Sequence, residues 1–397
     1  MLSVEKLIFF SLFSLACAYL YHKKIRGHSR RDFLIVFSML SIGYFDAVSA
    51  GFVFIYASIV FLISIKIERD RGKNKSALLL SIFSVLAVFL LFKLLGNHNS
   101  ESESSLFSGV IIPLGFSYLT CKSIHYLIEV HRGSVPRQGY RDLYLYLVFF
   151  PSFSAGPIQR LDDYISCDQP QVNVDAIVDS LSRVLLGLFK KIVIAEFLLA
   201  GILSAGLLTS DLLETKQSYM ALEVWWALIL FYLYCFFDFS ALADIAIGMG
   251  GLFGKRLPEN FNYPLLARDP GDFWRRWHMT LSEFCRHYIF LYALSSSRRY
   301  IVAFPVTMVI MGLWHDITFN WLMWGVYHGL GLYLFLKTRP LLASVSWPKV
   351  VVNLLIPIRV VLTFLYVALG YAWAGTDNFS DGLTVFFAAL GLTIGAP

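Results

Sequence analysis

The chain has 397 residues, of which 57% are hydrophobic and only 15% are charged, and its mean hydropathy is +0.64. Soluble domains are about 45–50% apolar and about 25% charged, so the composition excludes an ordinary soluble enzyme and predicts an integral membrane protein. The formal net charge of +6 is carried mostly by connecting segments, which favours membrane orientation signals over a nucleic-acid-binding face.

Apolar runs of about 20 residues, the length of a helix that spans a bilayer, recur from one end of the chain to the other. No long polar block separates them, so the sequence predicts a single all-α, polytopic membrane domain over residues 1–397. The predicted helices lie at about residues 5–21, 32–45, 50–66, 77–95, 106–128, 178–208, 218–237, 300–314, 318–336, 349–373 and 380–397. We therefore expect about 11 transmembrane helices.

The charged loops predict the orientation of these helices. Two early loops are strongly basic, and they contain Lys23, Lys24, Arg26, Arg30 and Arg31, then Lys66, Arg69, Arg71, Lys73 and Lys75. Residues 96–105 contain Glu101 and Glu103 and no lysine or arginine. Basic loops stay in the cytoplasm, so the N-terminus is expected outside it, and the loop with Arg132, Arg137 and Arg141 inside. The first apolar segment lacks a following small-residue cleavage site and is expected to be retained.

Two segments differ from ordinary spans. Residues 149–160 are apolar but interrupted by Pro151, Gly156 and Pro157, which predicts a re-entrant or interfacial element surrounded by protein or by a water-filled cavity. The second segment, from Asp238 to about Tyr300, alternates aromatic residues with Arg268, Arg275, Arg276, Arg286, Arg298 and Arg299. This pattern predicts half-buried helices that line a cavity on the cytoplasmic side.

The strongest functional signal is a pair of short motifs with histidines among apolar runs. Residues 272–282 read Asp-Phe-Trp-Arg-Arg-Trp-His-Met-Thr-Leu-Ser, and residues 311–316 read Met-Gly-Leu-Trp-His-Asp. An arginine or aspartate at the centre of a membrane helix costs about 2.5–3.5 kcal/mol on insertion scales. A cost of this size makes a functional site the first hypothesis, with His278 and His315 as its titratable groups.

Four motifs in chain order carry a family resemblance. They are residues 236–240 (Phe-Phe-Asp-Phe-Ser), 257–262 (Leu-Pro-Glu-Asn-Phe-Asn), 272–278 and 312–315. Together they resemble the signature series of the membrane-bound O-acyltransferase family, and are most similar to its bacterial branch of alginate O-acetylation and teichoic-acid D-alanyl transfer proteins. Residues 113–117, 149–157 and 187–191 also resemble that branch. The resemblance covers about residues 110–335, which we take as the motif-bearing core.

The resemblance implies a multi-helix fold around a central tunnel in which an acyl donor meets an acceptor hydroxyl. It implies that His315 is the essential histidine and His278 its catalytic partner. The residues beside them are expected to bind substrate; they are Trp274, Arg275, Arg276, Trp277 and Trp314. For Arg275 and Arg276, an orientation role and a phosphate-binding role both remain open. An interfacial aromatic belt is the simpler interpretation of Trp321 and Trp324.

Three departures from the family pattern bear on the substrate. Asp316 replaces the glycine that usually follows the tunnel histidine, and His287 replaces an aspartate after Arg286. A glycine-rich insertion of alginate-type members is missing after Tyr288. His328 stands thirteen residues after His315, an offset that does not place both on one helix face, so a structural role is the simpler interpretation.

The chemistry of acyl transfer agrees with these residues. A hydroxyl that attacks a thioester must lose its proton, and histidine, with an ordinary pKa near about 6.5, suits that task, so His315 is the expected general base. His278 or an arginine could stabilise the oxyanion. The sequence contains no Gly-x-Ser-x-Gly elbow, which favours direct transfer over an acyl-enzyme, although a relay through another protein stays open. The five cysteines show no metal-site spacing, so no metal and no bound cofactor are expected.

The sequence therefore predicts an O-acyltransferase of the bacterial inner membrane that moves a small acyl group onto hydroxyls of an exported or cell-envelope polysaccharide. The donor is expected to be a cytoplasmic thioester, acetyl-CoA or an acyl carrier protein, and accessory envelope proteins are possible partners. Acetyl transfer is preferred on the motif spellings, and D-alanyl transfer to a teichoic-acid-like polymer is the alternative. A transporter or channel is the alternative from another class, but it would predict internal repeats with broken helices in both halves.

Overall fold

The computed structural model describes residues 4–25, 27, 29–70, 75–98, 113–153, 155–166, 173–204, 221–343 and 348–392. Within these residues the regular structure is helical, and no β-strand is present. This confirms the all-α fold class.

The α-helices of the described residues, in chain order, are α1 (Val4–Lys24), α2 (Ser29–Phe45), α3 (Ala47–Arg69), α4 (Lys75–His98), α5 (Phe116–Arg132), α6 (Tyr140–Val148), α7 (Leu161–Ser166), α8 (Val174–Phe189), α9 (Gly201–Ser204), α10 (Ala221–Leu252), α11 (Pro270–Trp274), α12 (Met279–Cys285), α13 (Leu291–Ser297), α14 (Tyr300–His315), α15 (Phe319–Ala343), α16 (Lys349–Ala374) and α17 (Phe379–Ala389). Short 3-10 helices cover Phe150–Ser152 and Pro264–Leu266. Two π-helical stretches cover Lys190–Ala200 and Arg286–Phe290.

Five of the described helices are long and apolar enough to cross a bilayer. Their apolar stretches are Val4–Lys24, Ala47–Arg69, Lys75–Leu95, Ala221–Leu252 and Asn353–Ala374. Helices α14 and α17 are apolar but shorter. The chain is therefore a multi-pass membrane protein, and the number of about 11 spans stays a prediction.

The chain divides into two compact units. The first comprises Met1–Leu188 and Ala241–Glu259, and the second comprises Phe189–Ser240 and Asn260–Pro397. The motifs that contain His278 and His315 both belong to the second unit. A single domain over 1–397 with a core at 110–335 stays a prediction.

In the first unit, ion pairs join the loops that were predicted to share the cytoplasmic side. Arg31 contacts Asp142 at 2.6 Å, Arg137 contacts Glu68 at 2.5 Å and Arg141 contacts Asp32 at 3.4 Å; these pairs connect the start of α2, the end of α3 and the segment that leads into α6. The described parts of these loops therefore lie together, and the side of the membrane on which they lie stays a prediction.

The irregular segment of the first unit is protected by protein. Among the described residues between the 3-10 helix Phe150–Ser152 and α7, the backbone forms no regular helix. The buried Lys122 ammonium donates to Ser152 Oγ at 2.8 Å and to the Tyr146 carbonyl at 3.3 Å. The Leu161 N–H donates to His125 Nε2 at 3.0 Å. The expectation that protein surrounds this broken backbone is confirmed, and its depth in the membrane stays a prediction.

Several predicted helix boundaries were wrong for identifiable reasons. The helix predicted at 218–237 continues to Leu252, because Asp238 forms an ion pair with Lys191 and so does not end it. The described part of the helix predicted at 106–128 begins at Phe116, because Gly115 has a left-handed φ of 71°. The helix predicted at 380–397 ends at Ala389, before Gly391 with φ 74°. Residues 106–112 and 393–397 lie outside the described residues.

In the second unit, α14 and α15 pack closely through glycines. A Cβ added at Gly312 would collide with the Trp321 carbonyl, and one at Gly325 or Gly329 would collide with the α14 backbone at Val309 or Pro305. Small residues let membrane helices approach to backbone contact. This packing fixes the end of α14, where His315 lies, against the first turns of α15.

Candidate active site

His278 lies on a strained turn in the second unit, immediately before α12. Its backbone is left-handed, with φ 40° and ψ 56°, a region that residues with a side chain rarely occupy. Two backbone hydrogen bonds hold the turn against residues 260–262: Met279 N–H donates to the Asn260 carbonyl and Asn262 N–H to the Arg276 carbonyl, each at 2.9 Å. An unusual conformation held in this way is typical of functional sites.

The His278 imidazole is buried and hydrogen-bonded. Its Nδ1 lies 3.0 Å from Asn260 Oδ1, which also accepts from the Thr280 hydroxyl at 2.9 Å. The Phe239 ring meets the imidazole edge-on at 4.7 Å. Burial, and to a lesser degree the neighbouring His315, hold the pKa of His278 well below its ordinary value of 6.5. The ring is therefore neutral at physiological pH.

His315 is the last residue of α14 and is half-buried among tryptophan rings. It stacks on Trp321 with ring centroids 4.7 Å apart and an interplanar angle of 20°. Trp314 and Trp324 meet it edge-on at 4.9 Å and 6.0 Å. The ring centroid of Trp314 also lies 6.4 Å from that of His278, so one tryptophan lies beside both histidines. The structure thus brings together His278, Trp314 and His315, as the sequence predicted.

A third histidine continues the same cluster of rings. His328 is buried in α15 and contacts Trp324 at 4.7 Å and Trp274 at 5.4 Å. Sequence reasoning missed this continuity, because the contacts connect α15 to the short helix α11. Trp321 and Trp324, interpreted from the sequence as an interfacial belt, instead lie beside His315.

Trp277 occupies a different environment from the other predicted substrate-binding tryptophans. It packs in an aromatic cluster with Phe273 at 5.5 Å, Phe261 at 5.2 Å and Tyr232 at 5.9 Å. This cluster supports the turn that presents His278. A substrate-binding role for Trp277 stays a prediction.

Arg275 and Arg276 share one carboxylate. Asp272 Oδ1 accepts from Arg276 Nε at 2.9 Å and lies 3.4 Å from Arg275 Nη2. Burial acts to raise the pKa of Asp272, but the Arg276 hydrogen bond and charge hold that pKa below its ordinary value. Arg276 also donates to the Asn262 carbonyl at 3.2 Å, whereas the Arg275 side chain is 69% exposed. Arg276 therefore has a structural task, and Arg275 remains accessible.

An ion-pair cluster around the buried Lys191, which the sequence analysis missed, lies next to Phe239. The Lys191 ammonium pairs with Glu196 at 2.6 Å and with Asp238, which precedes Phe239 in α10. Lys191 and Glu196 lie in the π-helix Lys190–Ala200, a rare conformation that is frequent at functional sites. The sequence analysis identified the motifs at 187–191 and 236–240, but nothing in the sequence indicates that they contact each other.

Within the described residues, no group of three or more histidine, cysteine, aspartate or glutamate side chains could hold a metal ion. The polar groups beside His278 include the Asn260 amide and the Thr280 hydroxyl, and the Asp316 carboxylate directly follows His315. Such a set suits proton transfer and hydrogen bonding.

Comparison with known proteins supports the interpretation of these motifs. A model of the membrane-bound O-acyltransferase family matches residues 137–371, more than half of the chain. A probable alginate O-acetylase of Pseudomonas aeruginosa is 32% identical over 276 residues, which are 68% of this chain and 50% of that protein. A teichoic acid D-alanyltransferase of Streptococcus thermophilus is 27% identical, over 71% of this chain and 69% of that protein.

A peptidoglycan O-acetyltransferase of Helicobacter pylori is 26% identical, over 71% of this chain and 58% of that protein. The chain spans about half the length of the alginate-type relatives that it matches, with coverage of 50%, 55% and 51% in three of them.

Proposed function

The chain belongs to the membrane-bound O-acyltransferase family, and on that basis we propose that it transfers a small acyl group, acetyl, to a hydroxyl of an envelope or exported polysaccharide. The main support for this proposal is that His278 and His315 both lie beside the Trp314 ring, within the segment that matches the family. The named relatives act on alginate, peptidoglycan or teichoic acid, all of which are extracytoplasmic polymers.

The proposed reaction is a direct transfer. The acceptor oxygen forms a bond to the thioester carbonyl carbon, and His315 takes the hydroxyl proton as general base. The tetrahedral oxyanion then collapses, the carbon–sulfur bond breaks, and the proton passes to the thiolate. The reaction needs no other reactant. A hydrogen-bond donor aimed at the oxyanion would contribute a few kcal/mol, on the order of 3.

The donor in this proposal is a cytoplasmic thioester, acetyl-CoA or an acyl carrier protein, and its phosphate groups suit the arginines between Arg268 and Arg299. Arg286, Arg298 and Arg299 are exposed there. The protein would lie in the bacterial inner membrane with an extracytoplasmic N-terminus, with accessory envelope proteins as partners.

Thiol labelling tests this orientation. After replacement of the five native cysteines, cysteines at Lys23 and Lys66 are expected to be protected from an impermeant reagent in intact cells, and one at Ser102 to be labelled. Labelling at Lys23 with protection at Ser102 would invert the topology.

D-alanyl transfer is the second candidate. The fraction of each relative's length that the chain matches favours this candidate. That fraction is 69% for the Streptococcus thermophilus D-alanyltransferase but 50% for the Pseudomonas aeruginosa relative. The missing glycine-rich insertion after Tyr288 points the same way.

Mass spectrometry of envelope polysaccharides separates the two candidates. Cells that lack the gene are compared with cells that express the wild-type chain or the His315→Ala variant. We expect acetyl esters that depend on the wild-type chain. Alanyl esters would select the second candidate. Unchanged acylation in all three strains, combined with transport of an unmodified solute, would support a transporter instead.

A further inference from the structure

One residue, Asn260, holds the turn of His278 by both its main chain and its side chain. The Asn260 carbonyl accepts the Met279 N–H at 2.9 Å, and its Oδ1 faces His278 Nδ1 at 3.0 Å. Asn260 is fully buried. We propose that Asn260 is a positioning residue that fixes the proton of His278 on Nδ1 and leaves the lone pair on Nε2 for the reaction. This inference rests on the proposed function of the site.

The first step is the identity of the Asn260 atom that faces the imidazole. The same atom is approached by the Thr280 backbone N–H at 3.4 Å and by the Thr280 hydroxyl at 2.9 Å. A backbone N–H can only donate, so it requires an acceptor opposite it. The amide oxygen satisfies this requirement, whereas the amide nitrogen would place two donors face to face.

The second step is the tautomer. An amide oxygen only accepts, so the His278 nitrogen that faces it must carry hydrogen. The ring is buried, next to His315, and neutral, so it holds one proton, and that proton is on Nδ1. Nε2 then presents a lone pair.

The third step concerns the role of His278 in acyl transfer. A nitrogen with a lone pair accepts a hydrogen bond or a proton but cannot donate to an oxyanion. His278 is thereby removed from the candidates for oxyanion stabilisation. His278 is assigned instead the role of a hydrogen-bond acceptor: its Nε2 accepts the hydrogen of a hydroxyl or of a neighbouring imidazole.

The tautomer can be measured without an activity assay. Histidine is labelled with ¹⁵N in the full chain, reconstituted in a bilayer, and the His278 signals are identified by their loss in His278→Gln. We expect a protonated Nδ1 and an unprotonated Nε2 at pH 7. A protonated Nε2 would overturn the proposal even if the protein transfers acyl groups, and failure of acyl transfer would leave the tautomer readable.

A second variant tests the control that Asn260 exerts on His278. Asn260→Asp keeps an oxygen at the same place but adds a negative charge, which favours the protonated imidazole. The pKa of His278, followed by its ¹⁵N signals, should rise by about one pH unit or more. Asn173→Asp is the matched control, because Asn173 caps α8, with the Ala176 N–H donating to its Oδ1 at 2.8 Å, in the first unit. An unchanged pKa of His278 in Asn260→Asp, or an equal shift in the control, would contradict the assignment.

Discussion

His278 and His315 lie in one unit and share a tryptophan neighbour, but the structure positions them in different ways. His278 is held by a hydrogen bond from its Nδ1 to Asn260 Oδ1, on a left-handed turn between short helices. His315 ends a long apolar helix, where it stacks on Trp321, and its place follows from the packing of α14 on α15.

The difference teaches how each ring can serve acyl transfer. A hydrogen bond to a fixed acceptor determines which ring nitrogen carries the proton, so His278 presents one defined tautomer. Stacking on Trp321 determines the plane of the His315 ring. We expect the ring held in this plane to be the base that takes a proton from a hydroxyl and passes it to a thiolate.

The largest effect is expected for His315→Ala. General-base catalysis contributes about 10²–10⁴-fold, so polymer acylation should fall by about that factor while the protein inserts at wild-type abundance. His287→Ala is the matched control, because His287 contacts the Glu283 carbonyl four residues earlier in the chain. It should keep nearly full activity. Wild-type acylation by well-expressed His315→Ala protein would remove the catalytic role.

The next effect concerns the packing that positions His315. Gly325→Ala places a Cβ against the Val309 and Met308 backbone, and forced overpacking costs about 1–3 kcal/mol. We expect a lower Tm in detergent and a reduced kcat, with the His278 tautomer unchanged. The control is Gly201→Ala, because nothing lies within 4 Å of a Cβ at Gly201. Equal losses in the two variants would show that the close approach of α14 and α15 is unimportant.

A smaller effect is expected for Trp321→Leu, which removes the ring under His315. Aromatic pairs contribute about 0.5–1.5 kcal/mol beyond area burial, so kcat should fall by up to about tenfold. Trp226→Leu is the control, because Trp226 is 54% exposed on α10. If Trp321→Leu retains the wild-type kcat, the stack does not position the base.

The comparison of His278 with His315 also shows which parts of this site the sequence can predict. The histidines, Trp274 and Trp314 could be found because their motifs are local, and the helical class follows from apolar runs. The pairing of Asn260 with His278 spans eighteen residues and depends on a turn with positive φ, which no periodicity reveals. The end predicted for α10 at residue 237 was wrong because an ion pair with the buried Lys191 makes the Asp238 charge tolerable within an apolar helix.

The smallest effect separates the two arginines that precede His278. Arg275 is 69% exposed and lies 3.4 Å from Asp272, whereas Arg276 is 29% exposed and bound to both Asp272 and the Asn262 carbonyl. Arg275→Glu should therefore raise the donor KM by a few-fold, the effect expected for the loss of one exposed charge contact. Its Tm should be unchanged. Because Debye screening weakens long-range attraction, the difference from wild type should shrink as salt increases.

Arg276→Glu should lower Tm as well, since it places a second carboxylate against Asp272 and breaks the hydrogen bond to the Asn262 carbonyl. A wild-type donor KM in folded Arg275→Glu protein would show that this arginine does not contact the donor and serves only to orient the chain. A raised KM with an unchanged Tm in Arg276→Glu would instead place the donor at Arg276, and the division between an accessible and a structural arginine would then be wrong.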